Sequence, residues 1–331
     1  MPSRLAIVGL GMAVTPHAKS LLDLKDRVEV AYAYSPSRER RAKFKEKFSF
    51  PQCDRLETIL EDKSVDAVLV LTPANTHLEI VERCAAAGKH VLLEKPVEIT
   101  TERAERLVKS CSRVTLGIVL QHRFRPAADK LRENLSRLGK IVSASAMIPN
   151  WRPQSYYDQP GRGTKARDGG GVLITQAIHT LDLFLSFTGE PASVSSFTTT
   201  TQVHRMETED LAVAAVKFKS GALGVVHATT AAYPGFPERI ELIGTGGTAL
   251  LEGTALKMQF HNGEVMELQT ESGAGGTGAD PMAFPHDWHR SVLADFLDAI
   301  EHKRPPRVSG VEALKVHRFI DLLLRTPQSG D

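Results

Sequence analysis

The chain has 331 residues, of which 42% are hydrophobic and 24% charged, and its formal charge is +2. That length exceeds what one hydrophobic core usually supports, so two domains are expected. Interspersed charge of both signs argues against a nucleic-acid surface, and no apolar stretch approaches the ~20 residues of a membrane span. Cys53, Cys84 and Cys111 are scattered and lack metal-ligand spacing, and no signal-peptide pattern opens the chain. The expectation is a reduced, cytoplasmic protein with no metal, no membrane and no nucleic acid among its partners.

Strands and helices alternate through the first third. Leu5–Val8 is a short apolar strand ending in Gly9-Leu10-Gly11, followed by a helical pattern over Ala13–Leu24. Val28–Tyr34 is a second strand, and a Ser35-Pro36-Ser37 turn leads into a charged helix from Arg38. Ala67–Leu71 is a continuous apolar run of the kind buried on both faces. Thr76 and Glu79 have capping-box spacing for a helix over His77–Ala87 that stops at Gly88. Val91–Leu93, a helix over Thr101–Ser110 and a strand over Thr115–Leu120 complete the set. This alternation implies a parallel, doubly wound Rossmann sheet over residues 1–121.

Beyond Gln121 the pattern changes. A helix after Pro126 and a strand over Ile141–Ile148 precede short alternating strands at Val194–Thr201, Leu211–Phe218, Leu223–Thr230, Arg239–Ile243 and Thr248–Glu252. Asn262-Gly263 signals a two-residue hairpin, Ser272–Gly278 reads as a loop, and helices over Asp287–Glu301 and Val311–Leu324 close the chain. Residues 122–331 therefore read as a second domain, built on a large, mostly antiparallel open β-sheet. One face of that sheet would take helices and the other solvent or a partner subunit.

Four clusters carry chemistry. The Gly9-Leu10-Gly11 loop between a strand and a helix can hold a pyrophosphate on backbone N–H groups, although Val14 stands where the third glycine of the fingerprint belongs. Ser35, Ser37, Arg38, Arg40 and Arg41 follow the second strand with no carboxylate before Glu39, which favours the 2′-phosphate of NADP over NAD. Leu92-Leu93-Glu94-Lys95-Pro96 delivers an amine to the carboxyl end of a strand, where open α/β sheets bind ligands; a solvated Lys-Pro turn is the competing reading. Asp168-Gly169-Gly170-Gly171 then opens a helix expected to present Thr175, His179 and Asp182 on one face, with Asp182 orienting the imidazole or binding a hydroxyl. His204, His227, His261 and His302 read as surface or core residues.

Gly9-Leu10-Gly11 with His17, Thr72-Pro73-Ala74-Asn75-Thr76-His77, Glu94-Lys95-Pro96, Gln121-His122-Arg123-Phe124 and Gly169-Gly170-Gly171…His179 occur in an order that resembles the glucose–fructose oxidoreductase / inositol dehydrogenase (Gfo/Idh/MocA) family. The Trp151-Arg152-Pro153-Gln154-Ser155-Tyr156-Tyr157 segment, with Arg162-Gly163-Thr164 and Gln176-Ala177-Ile178-His179, looks like members that oxidise nucleotide-linked sugar acids at the 3-hydroxyl. The resemblance implies an NAD(P)-dependent oxidoreductase acting on a secondary hydroxyl or ketone of a sugar, sugar acid or nucleotide sugar, in a homodimer or homotetramer. It implies pyrophosphate contacts at Gly9, Gly11 and Met12, and adenosine-ribose contacts at Ser35 and Arg38. Thr72, Pro73, Asn75 and His77 would flank the dinucleotide and Glu94 would touch the nicotinamide ribose. Lys95 would bond the reacting hydroxyl and His179 would exchange its proton, with a cis Lys95–Pro96 peptide. Arg123, Arg152, Tyr156 and Arg162, with Thr175, Gln176 and Asp182, are the substrate-binding candidates. Thr175 stands where the family usually has Asp or Asn. An NAD-dependent glycosidase of the same fold and a non-catalytic nucleotide- and sugar-sensing protein are the alternatives; Lys95 and His179 speak against the second.

Overall fold

The computed structural model describes residues 2–269, 278 and 285–325. The chain forms two compact units: Met1–Gln121 with Pro285–Leu314, and His122–Phe284 with Lys315–Asp331. The expected assignment of everything after residue 121 to the second domain is therefore corrected. The helix Asp287–Glu301 packs on the helix Val14–Asp23, and Phe296 approaches so closely that a Cβ on Gly117 would sit 3.0 Å from its ring. Residues 308 and 309 then run along the neighbouring strand, where Ile118 N donates to Val308 O at 2.9 Å.

The first unit holds a six-stranded sheet of β1 (Ser3–Val8), β2 (Val28–Tyr34), β3 (Gln52–Cys53), β4 (Ala67–Val70), β5 (His90–Glu94) and β6 (Leu116–Val119). Its order is β3-β2-β1-β4-β5-β6, and every pairing is parallel. Every residue of β4 and β6 is buried, which is why their sequences are continuous apolar runs without alternation. Strand order reverses between β1 and β4, the position at which such sheets open a crevice for ligands. The short β3 and the helix Leu56–Glu61 were not anticipated. The expected capping box is not made: Thr76 Oγ1 bonds Thr72 Oγ1 and the Pro73 carbonyl, and Glu79 pairs with Arg103.

The second unit is built on β7 (Ile141–Pro149), β8 (Pro191–Thr199), β9 (Leu211–Phe218), β10 (Leu223–Thr229), β11 (Arg239–Gly244), β12 (Gly247–Glu252), β13 (Ala255–Phe260) and β14 (Val265–Leu268). The order is β14-β13-β12-β11-β7-β10-β9-β8, with only β7 and β10 parallel. Alternation in β9 buries Ala212, Ala214, Val216 and Phe218 while exposing Val213 and Lys217, as a sheet with one covered face requires. Helices Ile178–Thr188 and Pro126–Asn134 lie on the covered side. The Asn262-Gly263 hairpin forms, but its loop is His261-Asn262-Gly263, one residue longer than the two-residue turn expected; Gly263 takes φ +86°, and Phe260 N donates to Glu264 O. The loop expected at Ser272–Gly278 lies outside the described residues except for Gly278. Among the described residues no single helix is long and apolar enough to cross a membrane.

Candidate active site

In the first unit the carboxyl ends of β1, β4 and β5 align, because Val8 pairs with Val70 and Val70 with Leu93. Gly9, Leu71-Thr72 and Glu94-Lys95 are consequently neighbours along one sheet edge. Gly9 has φ +106°, and a Cβ there would sit 2.9 Å from the Leu71 carbonyl carbon, so only glycine allows the chain to turn this close to β4. The helix Val14–Asp23 follows with no side-chain cap at Ala13, so its first backbone N–H groups are of the kind that can hold a phosphate. Val14 is buried at the first helical position, so the departure from the third glycine fills space instead of preventing the helix. This edge fits a dinucleotide.

The loops beside it are clamped. His77 is buried, with Nε2 2.8 Å from the Thr72 carbonyl and Nδ1 3.0 Å and 3.2 Å from the Pro96 and Val97 carbonyls. Burial lowers its pKa. The ring lies between the Thr72-Pro73 segment and the turn after Lys95, and as a neutral imidazole it donates to the carbonyls of one side only, so any effect of His77 on a dinucleotide passes through those loops. The Lys95–Pro96 peptide is cis. Glu94 Oε1 accepts a hydrogen bond from His17 Nε2 at 2.8 Å, and Oε2 accepts the Lys95 N–H at 3.0 Å. Burial works to raise the Glu94 pKa, but the His17 hydrogen bond, with smaller electrostatic contributions from its neighbours, leaves it lowered overall. His289 stands edge-on to His17, with ring centroids 4.9 Å apart, and burial pushes its pKa down to about 3.

A neutral, buried His289 has a consequence for stability. Its folded pKa lies below the ordinary ~6.5, so its contribution is complete above that value and is lost as pH falls toward 3. Unfolding free energy should drop across pH 6.5 to 4 by up to roughly 1.4 kcal/mol per pH unit from this group. Thermal melts of the wild type and His289→Leu would check it: the variant should lose part of that acid slope, and identical slopes would contradict the assignment.

At the end of β2, Ser35 is buried, its Oγ accepts the Ser37 N–H, and its carbonyl takes the Arg41 guanidinium at 2.5 Å. Arg41 therefore shapes the turn, while Arg38 opens the helix Arg38–Lys45 and is exposed.

In the second unit the expected single helix is broken into Val172–Thr175 and Ile178–Thr188, where Ala177 N reaches back to Val172 O. The break removes the common face proposed for Thr175, His179 and Asp182. Thr175 Oγ1 sits between the Gly171 carbonyl and the Gln176 side-chain carbonyl. The two oxygens of Asp182 take Arg123 Nη2 at 2.6 Å and Nε at 2.7 Å in a buried bidentate pair. Arg123 and Asp182, both expected among the substrate-binding residues, thus pair with each other. Asp182→Ala, which strands a buried guanidinium, should cost ~3–5 kcal/mol in urea unfolding; a loss below 1 kcal/mol would contradict the pairing.

The ring of His179 lies 4.9 Å from that of His122 at 30°. His122 Nε2 faces the Arg125 guanidinium at 2.5 Å; arginine can only donate, so this nitrogen accepts and the ring proton resides on Nδ1. Arg125 also donates to Glu238 at 2.6 Å. The glycine run serves close packing: a Cβ on Gly171 would fall 1.8 Å from the Glu209 carbonyl oxygen, and the Glu209 carboxylate accepts the Gly171 and Leu173 N–H groups.

Of the remaining candidates, Arg162 lies over the Tyr156 ring at 4.8 Å and Arg152 at 5.9 Å. Arg152 is buried and donates to the Trp151 and Gly278 carbonyls, so part of its guanidinium holds the local backbone. Sequence reasoning left His204 without a role. It is buried, with Nδ1 2.7 Å from Asp210 and Nε2 2.8 Å from the Arg152 carbonyl, packed between Trp151 and Tyr157, and it anchors the Trp151–Tyr157 segment.

Two family models match the chain: an oxidoreductase family with an NAD-binding Rossmann fold over residues 3–121, and the GFO/IDH/MocA C-terminal domain over residues 130–250. The chain belongs to the Gfo/Idh/MocA family. Among curated members it is similar to myo-inositol 2-dehydrogenase of Thermotoga maritima (29% identity; 93% of this chain and 91% of the relative). It is also similar to the NAD+-dependent scyllo-inositol 2-dehydrogenase of Bacillus subtilis (26%; 94% and 90%). Among solved structures, the WlbA dehydrogenase of Bordetella pertussis in complex with NADH and UDP-GlcNAcA aligns with a TM-score of 0.83 at 26% identity, covering 100% of this chain and 98% of that one. Levoglucosan dehydrogenase aligns with a TM-score of 0.85 at 21% identity and 98% and 96% coverage, a likeness of fold alone. As a family member the chain is an NAD-binding oxidoreductase with an N-terminal Rossmann sheet and a mostly antiparallel C-terminal sheet.

Proposed function

We propose that this protein oxidises or reduces a secondary alcohol carbon of a sugar, cyclitol, sugar acid or nucleotide sugar, with Lys95 and His179 handling the hydroxyl proton. The observation that carries the reading is the anchored amine: Lys95 leaves the carboxyl end of β5 beside the Gly9 turn, with its backbone N–H tied to Glu94 and the carbonyls after it facing His77. When bound, a nicotinamide dinucleotide supplies the hydride acceptor or donor. Gly9, Gly11 and Met12 would hold its pyrophosphate, Ser35 and Arg38 its adenosine ribose, Thr72, Pro73 and Asn75 its flank, and Glu94 its nicotinamide ribose. The Lys95 ammonium stabilises the substrate oxygen as negative charge develops, and a His179 ring nitrogen takes or returns the proton. Arg152, Tyr156 and Arg162, with Gln176 and Thr175, form the set for an acidic or phosphorylated sugar. The family relatives that act on inositols, and the WlbA enzyme bound to UDP-GlcNAcA, support these substrate classes.

NADP is the preferred cofactor in this reading, because the exposed Arg38 follows β2 where no carboxylate intervenes. Arg38→Ala should weaken NADP by roughly 10-fold and NAD by less than twofold, as one charge-assisted contact would. Titration of intrinsic fluorescence reads both constants, and equal losses would contradict the assignment. The exposed sheet face bearing Phe197, Val213, Leu223 and Val225 is proposed to pair with a second copy, giving a homodimer or homotetramer.

The deciding experiment combines NAD or NADP with myo-inositol, scyllo-inositol, levoglucosan and UDP-GlcNAcA and follows the reduced-nicotinamide absorbance. Net reduction with any of them supports the dehydrogenase. Release of sugar from a glycoside with no net absorbance change would replace it with the glycosidase reading, and binding without turnover would replace it with the sensing one.

A further inference from the structure

We propose that His17 is a positioning residue for Lys95, acting through Glu94; the proposal rests on the reading of Lys95 as catalytic. β5 ends at Glu94, and the next N–H, that of Lys95, is held by the carboxylate of the residue immediately before it. That bond requires the Glu94 side chain to fold back along its own backbone. A glutamate carries several rotatable bonds, and holding one rotamer costs entropy unless a second contact fixes the far oxygen. His17 Nε2 supplies that contact at 2.8 Å, reaching from the helix Val14–Asp23.

Two further observations point the same way. His17 is buried, and its Nδ1 meets no hydrogen-bond partner among the described residues, so the polar capacity of the ring is directed at Glu94. His289, from the helix Asp287–Glu301, stands edge-on against His17 and walls the ring in place. Lys95 is thus steadied from upstream by His17 through Glu94, and the Pro96 and Val97 carbonyls that follow it face His77 Nδ1. The groups around the Glu94 carboxylate are His17, His289 and Lys95, with His286 at the start of the same helix as His289.

One nitrogen of each imidazole and one oxygen of Glu94 lie within 4.8 Å of one another, a set that could also hold a divalent cation. The geometry favours the hydrogen bond. The His17–Glu94 contact is already made at bonding distance, and the second carboxylate oxygen is committed to Lys95 N.

The test compares wild type, His17→Leu and His17→Gln, the last retaining an amide donor. Hydrogen–deuterium exchange of the cofactor-free protein, resolved to the Lys95 amide, reads the clamp directly. Loss of one hydrogen bond to a charged acceptor should speed that exchange on the order of 10-fold in His17→Leu, and His17→Gln should restore most of the protection. On the most active substrate of the panel, kcat should fall on the order of 10-fold with KM and dinucleotide affinity within threefold, again rescued by glutamine. If His17→Leu does not fold, Glu94→Gln reports the same bond and should speed the same amide, with no further gain when His17→Gln is added. Unchanged exchange, glutamine behaving like leucine, or one equivalent of transition metal lost with His17 would overturn the proposal. Unaffected turnover in Lys95→Ala beside a protected Lys95 amide that His17→Leu exposes would instead overturn the catalytic reading of Lys95 alone.

Discussion

Lys95→Ala is expected to lower turnover by ~100- to 10,000-fold, the range that one positioned acid–base or electrostatic group contributes. Dinucleotide affinity should stay within about threefold, because the proposed phosphate cradle is the Gly9 turn and the uncapped helix after it. The split is the diagnostic feature. A lysine that merely solvated a turn would change neither quantity, and one that held the cofactor would change both. The removed charge also bears on Glu94, whose lowered pKa draws partly on Lys95. Lys95→Arg keeps that charge but replaces a compact ammonium with a planar fork, so it should keep the fold and recover little turnover. Stopped-flow measurement of the first turnover reads the chemical step directly, and a Lys95→Ala rate within threefold of wild type would remove the residue from the chemistry.

His179→Ala should cost ~100-fold or more and flatten the pH dependence of kcat/KM near neutrality, since an imidazole with an ordinary pKa near ~6.5 both gives and takes protons there. His122 could blur this result, because its ring lies 4.9 Å from that of His179. Its tautomer, however, is set by Arg125, which leaves Nε2 accepting a hydrogen bond and unsuited to relaying a proton outward. His179→Gln should therefore behave like His179→Ala in its pH profile while retaining the packing. A profile that keeps its wild-type inflections in both variants would exclude His179 from proton transfer.

The first unit was legible because its chemistry and its burial coincide. Strands covered on both faces read as unbroken apolar runs such as Ala67–Val70, and the Gly9 turn is demanded by a backbone contact that no other residue permits. The return of residues 285–314 to that unit was not legible, since an amphipathic pattern shows that a helix face is buried but not against what. The helix break after Thr175 was hidden for a similar reason. Residues 172–174 and 177–185 are all buried, so no period on either side marks the change of phase. Arg123 and Asp182 looked like ligand-binding residues individually; only a separation of 59 positions closed by folding shows that they satisfy each other. His289 left no signal beyond an ordinary histidine on an amphipathic helix, whereas Glu94 and His17 stood inside recognisable motifs.

In the proposed reading Lys95 and His179 serve one and the same hydroxyl. The most direct test is a double-mutant cycle on the first-turnover rate with the best substrate of the panel. Groups that act as a unit are grossly non-additive, so the Lys95→Ala/His179→Ala protein should be no more than about threefold slower than the slower single variant. Losses that multiply across the two substitutions would mean that the amine and the imidazole work independently, which contradicts a shared hydroxyl.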